Sequence, residues 1–132
     1  MDNTIEQEIQ AKGLTAPRIT PADIEANIAS EHYFTAANGV DGADIDRLRA
    51  AKPNKVFTFQ PYAEDARPLP PLTLLTFCVL VLKNGFTVTG ESACASPENF
   101  DAEIGRKIAR QNAIDKVWPL MGYELRSKLE RG

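Results

Sequence analysis

Residues Leu72–Ala95 read LTLLTFCVLVLKNGFTVTGESACA, an apolar run, then Asn84-Gly85, then an alternating run. Asn-Gly between β-branched and aromatic residues predicts a tight hairpin, because both central positions of a type I′ turn need positive φ and these two residues tolerate it best. A two-residue loop sets Lys83 opposite Phe86. One face then collects Leu75, Phe77, Val79, Val81, Phe86, Val88, Gly90 and Ser92, and is the expected bed for the following helix. The other sets Leu74, Cys78, Leu80 and Leu82 against Thr87, Thr89, Glu91 and Ala93. A lone hairpin is marginal in water, so that half-apolar face needs a cover: the Val56–Gln60 region, the N-terminal helix or a second subunit. In this register Cys78 and Cys94 lie on opposite faces, and no disulfide is expected.

Downstream, Ser96-Pro97-Glu98 has the form of a helix start, with Ser96 as N-cap and Pro97 at N1. The helix is expected to run to about Val117, where Pro119 disfavours helical geometry at Trp118. LMGYELRSKL then forms a second short helix. At 100° per residue Phe100, Ile104, Ile108, Ile114 and Trp118 make a bulky stripe suited to covering the hairpin. Ala102, Gly105, Ala109 and Ala113 make a stripe of small residues. It suits either packing against the helix near Pro21–Ser30 or, with Leu80 and Leu82, a subunit interface.

The same helix carries the candidate chemistry. Arg106 and Arg110 stand one turn apart beside Lys107, with the amides Gln111 and Asn112 following. Such a row can hold phosphate oxygens of a nucleotide or of a nucleic-acid backbone. The plain alternative is a solvated face, since Glu103 is spaced to pair with Arg106 and Lys107. The amides can equally bond the backbone at the hairpin end. His32 beside Tyr33 could act as a general base, and Glu91 as an isolated acid or base. No nucleophile elbow, P-loop, H-E-x-x-H or paired-cysteine motif accompanies them. No catalytic residues, metal site or cofactor are therefore assigned, and a non-enzymatic protein is favoured over a small enzyme without a linear motif.

Upstream, Thr20-Pro21 with Asp23 reads as a capped helix start, stapled by Ile19 and Ile24, over about Pro21–Ser30. Tyr33–Thr35 suits a short extended segment and Asn38-Gly39 a turn. ADIDRLRAAK suits one or two helical turns ending before Pro53. Val56–Gln60 alternates and is the best candidate for a third strand, and Pro61–Pro71 reads as an extended connector. The expected class is α+β: a long β-hairpin, with room for that third strand, packed on a C-terminal helix behind a short N-terminal helical region. Residues 1–17 read as an N-terminal arm and 18–132 as one domain with a variable linker at 43–71.

The 132 residues are 43% hydrophobic and 25% charged, with net charge −3, ordinary for one globular domain. The acidic balance argues against wholesale wrapping of nucleic acid, though residues 97–132 hold seven basic and six acidic side chains. No apolar run reaches membrane-spanning length. The polar start MDNTIEQEIQ does not read as a secretory signal. With two cysteines, this suggests a reducing cytoplasm.

The run LLTFCVLVLKNGFTVTGESACASPENFDAEIGRKIARQNAIDKVWPLMGYELRSKL, with IEANIASEHYFTAANGV upstream, resembles a family of small tailed-phage and prophage proteins. That family is named for gene 49 of phage N-four and gene 66 of phage Sf-six. The resemblance covers Arg18–Gly42 and Thr73–Leu129; Ala43–Leu72 reads as an insertion or variable linker. It implies a phage accessory protein in the cytoplasm of an infected or lysogenic bacterium, and brings no catalytic residues. Together with the arginine row, the expectation is a homo-oligomeric binding module for a host protein or a small anionic, nucleotide-like ligand, with counter-defence as a candidate role. The runner-up is a nucleic-acid-binding accessory protein using the same arginines, whose binding would fall steeply with salt.

Overall fold

The computed structural model describes residues 3–56 and 70–132. Helices α1 (Asn3–Ala11) and α2 (Pro21–Ala26) lead into strand β1 (Ile28–Thr35) and helix α3 (Ala36–Ala51). A 3₁₀ turn at Pro70–Leu74 precedes the hairpin of β2 (Leu75–Leu82) and β3 (Thr87–Ala93). A second 3₁₀ turn, Pro97–Asn99, precedes the long helix α4 (Ala102–Arg131). The architecture is α+β: an antiparallel sheet in the order β1-β2-β3, backed on one face by α4.

The hairpin forms where expected, but its loop is one residue longer. The Leu82 amide donates to the Phe86 carbonyl at 2.8 Å, and the Gly85 amide donates to the Leu82 carbonyl at 2.8 Å. Lys83, Asn84 and Gly85 are therefore all loop. Gly85 has φ +89°, and no described residue other than glycine has positive φ. A type I′ turn would need positive φ at Asn84 too; the chain instead uses a single left-handed glycine closing a three-residue loop. The Asn84 side-chain oxygen accepts from the Phe86 amide at 2.9 Å and stiffens the tip.

That one-residue slip reassigns both faces, because side chains alternate with period two. Leu80 pairs with Val88 and Cys78 with Gly90, and these residues, with Leu82, are the ones buried under α4. Leu75, Phe77, Val79 and Val81 turn to the opposite face. The expected bed for the helix was thus the wrong one for β2. The thiols also change place: the Cys94 amide bonds the Leu74 carbonyl at 3.0 Å, which puts Cys94 on the same face as Cys78. Both thiols are free. Four residues along a strand hold them roughly 13 Å apart, so distance, not opposed faces, separates them.

The helix face is corrected as well. Ala109, Ala113 and Val117 are 0% exposed against the sheet, whereas Ile104 is 55% and Ile108 47% exposed. The reason is Gly90. A Cβ there would lie 2.2 Å from the Ala109 carbonyl oxygen and 2.3 Å from the Ala113 nitrogen, so helix and strand backbones ride directly on one another. Small residues on both sides permit that approach; of the bulky stripe, Ile114 and Trp118 do pack on the core as expected, whereas Ile104 and Ile108 stay outside it.

α4 begins at Ala102, where the Asp101 side chain accepts from the Ile104 amide at 3.0 Å; Ser96-Pro97 opens only the 3₁₀ turn. The helix passes through Pro119 without stopping. Pro119 has no N–H to give the Asp115 carbonyl, yet Trp118 and Met121 on either side pack against the core, and that packing outweighs the lost bond. At about 45 Å for its length, α4 overhangs strands of about 26 Å.

The third strand is β1, paired antiparallel to β2 from Ile28↔Leu82 to Thr35↔Thr76 with an irregularity between Ile28 and Ser30. The strand expected at Val56–Gln60 falls, from residue 57 on, outside the described residues. The Thr20–Asp23 capping box forms as expected and buries Ile24 to 1% exposure, but α2 ends at Ala26 because Ile28–Ser30 joins the sheet. Asn38-Gly39 is not a turn: Thr35 and Asn38 form a second capping box that starts α3. α1 is tied down by Arg18, whose guanidinium grips both Glu6 oxygens at 2.6 and 2.8 Å.

Candidate functional site

The basic row on α4 does not act as a unit. Arg110 donates to both carboxylate oxygens of Glu25 at 3.0 and 2.7 Å, and through Nε to Glu31 at 3.1 Å. It clamps α2 and β1 onto α4. The Glu25 hydrogen bond raises the Arg110 pKa above its already high ordinary value, and Arg110 in turn holds Glu25 below the ordinary 4.5. Lys107 pairs with Glu103 at 3.3 Å on the exposed surface. Gln111 donates to Asp115 at 2.9 Å. Asn112 donates to the Glu91 carbonyl at 2.8 Å; Glu91 lies at a position whose backbone groups point away from β2, so this amide blunts the β3 edge.

Arg106 is different. Among the described residues it has neither an ion pair nor a hydrogen bond, and it borders a hollow of about 160 Å³ where β1 passes into α3. Phe34, Tyr33 and Phe100 supply apolar walls; Thr35, Asn38 and Thr76 supply polar ones. Thr76 is only 4% exposed as a residue, and it lines the hollow with its hydroxyl toward Gly105. Thr35 Oγ accepts from the Asn38 amide at 3.2 Å and Asn38 Oδ1 from the Thr35 amide at 2.9 Å. The Asn38 side-chain N–H₂ and the Thr35 hydroxyl proton remain available. The amides of α3's first turn add the positive end of a 16-residue helix.

This set is donor-rich and carries one uncompensated cation. It suits an anion, and the neighbouring rings suit a flat apolar group attached to it. At roughly 30 Å³ per water-sized unit, the hollow has room for a phosphate group.

Of the residues predicted as ligand contacts, the structure places Arg106, without a partner among the described residues, at this hollow and gives Lys107, Arg110, Gln111 and Asn112 partners within the chain; Arg110 and Gln111 also line a separate hollow of about 270 Å³ with Pro21 and Trp118. Of the predicted interface residues, Gly105, Ala109, Ala113, Leu80 and Leu82 are buried in the chain itself, and Ala102 is exposed at the rim of the hollow. Thr35, Asn38 and Thr76 were missed. Thr35-x-x-Asn38 is a capping-box pattern, the one signal that could have found two of them. His32 bonds Ser30 at 3.0 Å on the sheet face away from α4. The described residues contain no cluster of three or more metal-ligating side chains, and no helix among them is long and apolar enough to cross a membrane.

The fold is that of a small α+β protein whose C-terminal helix α4 closes the core and sets Arg106 at the rim of this hollow. Its family is explicit: the Phage protein (N4 Gp49/phage Sf6 gene 66) family matches over residues 19–129, and the chain belongs to it. No curated protein and no solved structure matches the chain.

Proposed function

We propose that this phage protein is a non-enzymatic binding module that takes up a small anionic, nucleotide-like ligand in the Arg106 hollow, as a counter-defence factor inside the bacterial host. The observation that carries the reading is Arg106 itself. It is the member of the arginine row left without a carboxylate, and it stands beside the Thr76 hydroxyl, a helix N-terminus and aromatic walls. In this reading copies of the chain associate through Ile104 and Ile108, since the small-residue stripe is consumed in the core.

The test is calorimetric titration of the purified chain with adenosine monophosphate, inorganic phosphate and adenosine. Saturable binding of the monophosphate, weaker binding of the other two, and loss in Arg106→Met are expected. Removing a charged hydrogen-bond partner costs about 1.5–3 kcal/mol, so the loss should be on the order of tenfold to a hundredfold. Equal affinity in wild type and Arg106→Met, or no binding of any phosphate compound, overturns the proposal.

A further inference from the structure

The inference concerns the control of the same hollow and rests on the function proposed above. Tyr33 is one wall of the hollow, and its hydroxyl lies 2.9 Å from Glu31 Oε1. An ionised carboxylate only accepts, so the phenol proton is committed to Glu31. Burial, and then this bond, push the Tyr33 pKa far above its ordinary value of 10, so the phenol stays protonated and the direction of the bond is fixed. The second Glu31 oxygen accepts from Arg110 Nε at 3.1 Å, and the other two Arg110 nitrogens hold Glu25 at 3.0 and 2.7 Å. The line runs from α2, through α4, to the wall of the pocket, and the Cys78 thiol stands beside the same phenol hydroxyl.

From this geometry we infer that Arg110 is a positioning residue for the Arg106 pocket rather than a ligand contact: it fixes Glu31, Glu31 fixes the Tyr33 ring, and the ring sets the pocket's width. The alternative, that Arg110 swings out to bind the anion beside Arg106, requires breaking three hydrogen bonds to two carboxylates. It would leave Glu25 and Glu31 unneutralised next to an incoming negative charge. The observed arrangement opposes that at each step.

The two roles separate in a double-mutant cycle, read as the dissociation constant for adenosine monophosphate, with a melting curve on each variant. Arg110→Met and Tyr33→Phe should each weaken binding about fivefold, the equivalent of one ordinary hydrogen bond. The double variant should be no weaker than either single one, because both cut the same line. Arg110→Lys keeps the charge but not the fork that spans two carboxylates, so it should resemble Arg110→Met. Glu31→Gln leaves the Arg110–Glu25 pair intact, and should lose the same fivefold; it carries the test if Arg110→Met does not fold. Multiplying losses, or recovery of affinity in Arg110→Lys, would overturn the inference, as would wild-type affinity in Glu31→Gln. Failure of the underlying reading looks different: there Arg106→Met leaves affinity untouched.

Discussion

Gly90→Ala should be among the most damaging single methyl groups that can be added to this protein. The new Cβ would lie 2.2 Å from the Ala109 carbonyl oxygen, 2.3 Å from the Ala113 nitrogen and 2.9 Å from the Ala113 Cα, where ordinary contact begins at 3.4 Å. More than an ångström must be found, and all three atoms are helix backbone that cannot rotate aside. Either α4 lifts or β3 sinks, and both loosen Cys78, Leu80, Ala109, Ala113 and Val117, each 0% exposed. Overpacking commonly costs about 1–3 kcal/mol where side chains give way. With backbone as the obstacle, about 3–5 kcal/mol is expected, a large part of a typical domain's stability. In a chain of this size that lowers Tm by roughly 10–20 °C. Thermal and urea melts followed by circular dichroism measure it. Gly122→Ala is the matched control: it lies in the same helix with nothing within 4 Å of its Cβ, and should gain up to about 1 kcal/mol from helix propensity. Ala113→Gly should not rescue Gly90→Ala, because it removes none of the clashing atoms. Wild-type stability in Gly90→Ala, or rescue by Ala113→Gly, would refute backbone-on-backbone packing.

Two further outcomes follow from charge and exposure. Arg110 lowers the Glu25 pKa beneath its ordinary 4.5, so the folded state binds fewer protons than the unfolded chain there. That stabilising contribution is fully present above the unfolded value and lost as pH falls through the folded one. The Tm gap between wild type and Glu25→Gln should therefore be open at neutral pH and close below about pH 4; a gap that widens in acid contradicts the assignment. Ile104→Glu with Ile108→Glu, at side chains 55% and 47% exposed, should leave Tm nearly unchanged. Sedimentation mass should fall to the 14.5 kDa of one chain, and a wild type that already sediments at that mass removes the proposed subunit contact.

The elements legible in the sequence are those whose signal is local. Thr20-Pro21-x-Asp23 specified a capping box and Asn84-Gly85 a hairpin, and both are present. What local signals could not specify was the one-residue difference between a two- and a three-residue loop. Asn-Gly is compatible with both, and the choice falls to whichever register places Gly90 beneath the helix. Had β3 been shifted by one, Glu91 or Thr89 would occupy that position, and neither lets two backbones meet. Tertiary packing thus selects the register, and through it every face assignment. The same competition explains Ile28–Ser30, helical in pattern but recruited by the free edge of β2, and Pro119, whose local penalty is outweighed by the packing of Trp118 and Met121.

The site was legible only as a list of donors. Sequence spacing put Arg106 and Arg110 one turn apart and so suggested a shared role, but one turn along α4 is enough to present the two to different neighbours. Arg110 meets carboxylates from α2 and β1, 85 and 79 residues distant, separations that no pattern on α4 could reveal. Arg106 meets instead the end of β1, where a threonine and an asparagine are held by each other's backbone amides. Charge complementarity within the chain therefore decides which arginine of the row is left unpaired. It follows that Glu25→Ala, which leaves the Arg110–Glu31–Tyr33 line in place, should free two Arg110 nitrogens at the separate hollow lined by Pro21, Gln111 and Trp118: calorimetry should then show added weak phosphate binding at low salt, with no preference for adenosine monophosphate, because the walls proposed to distinguish the two stay with Arg106.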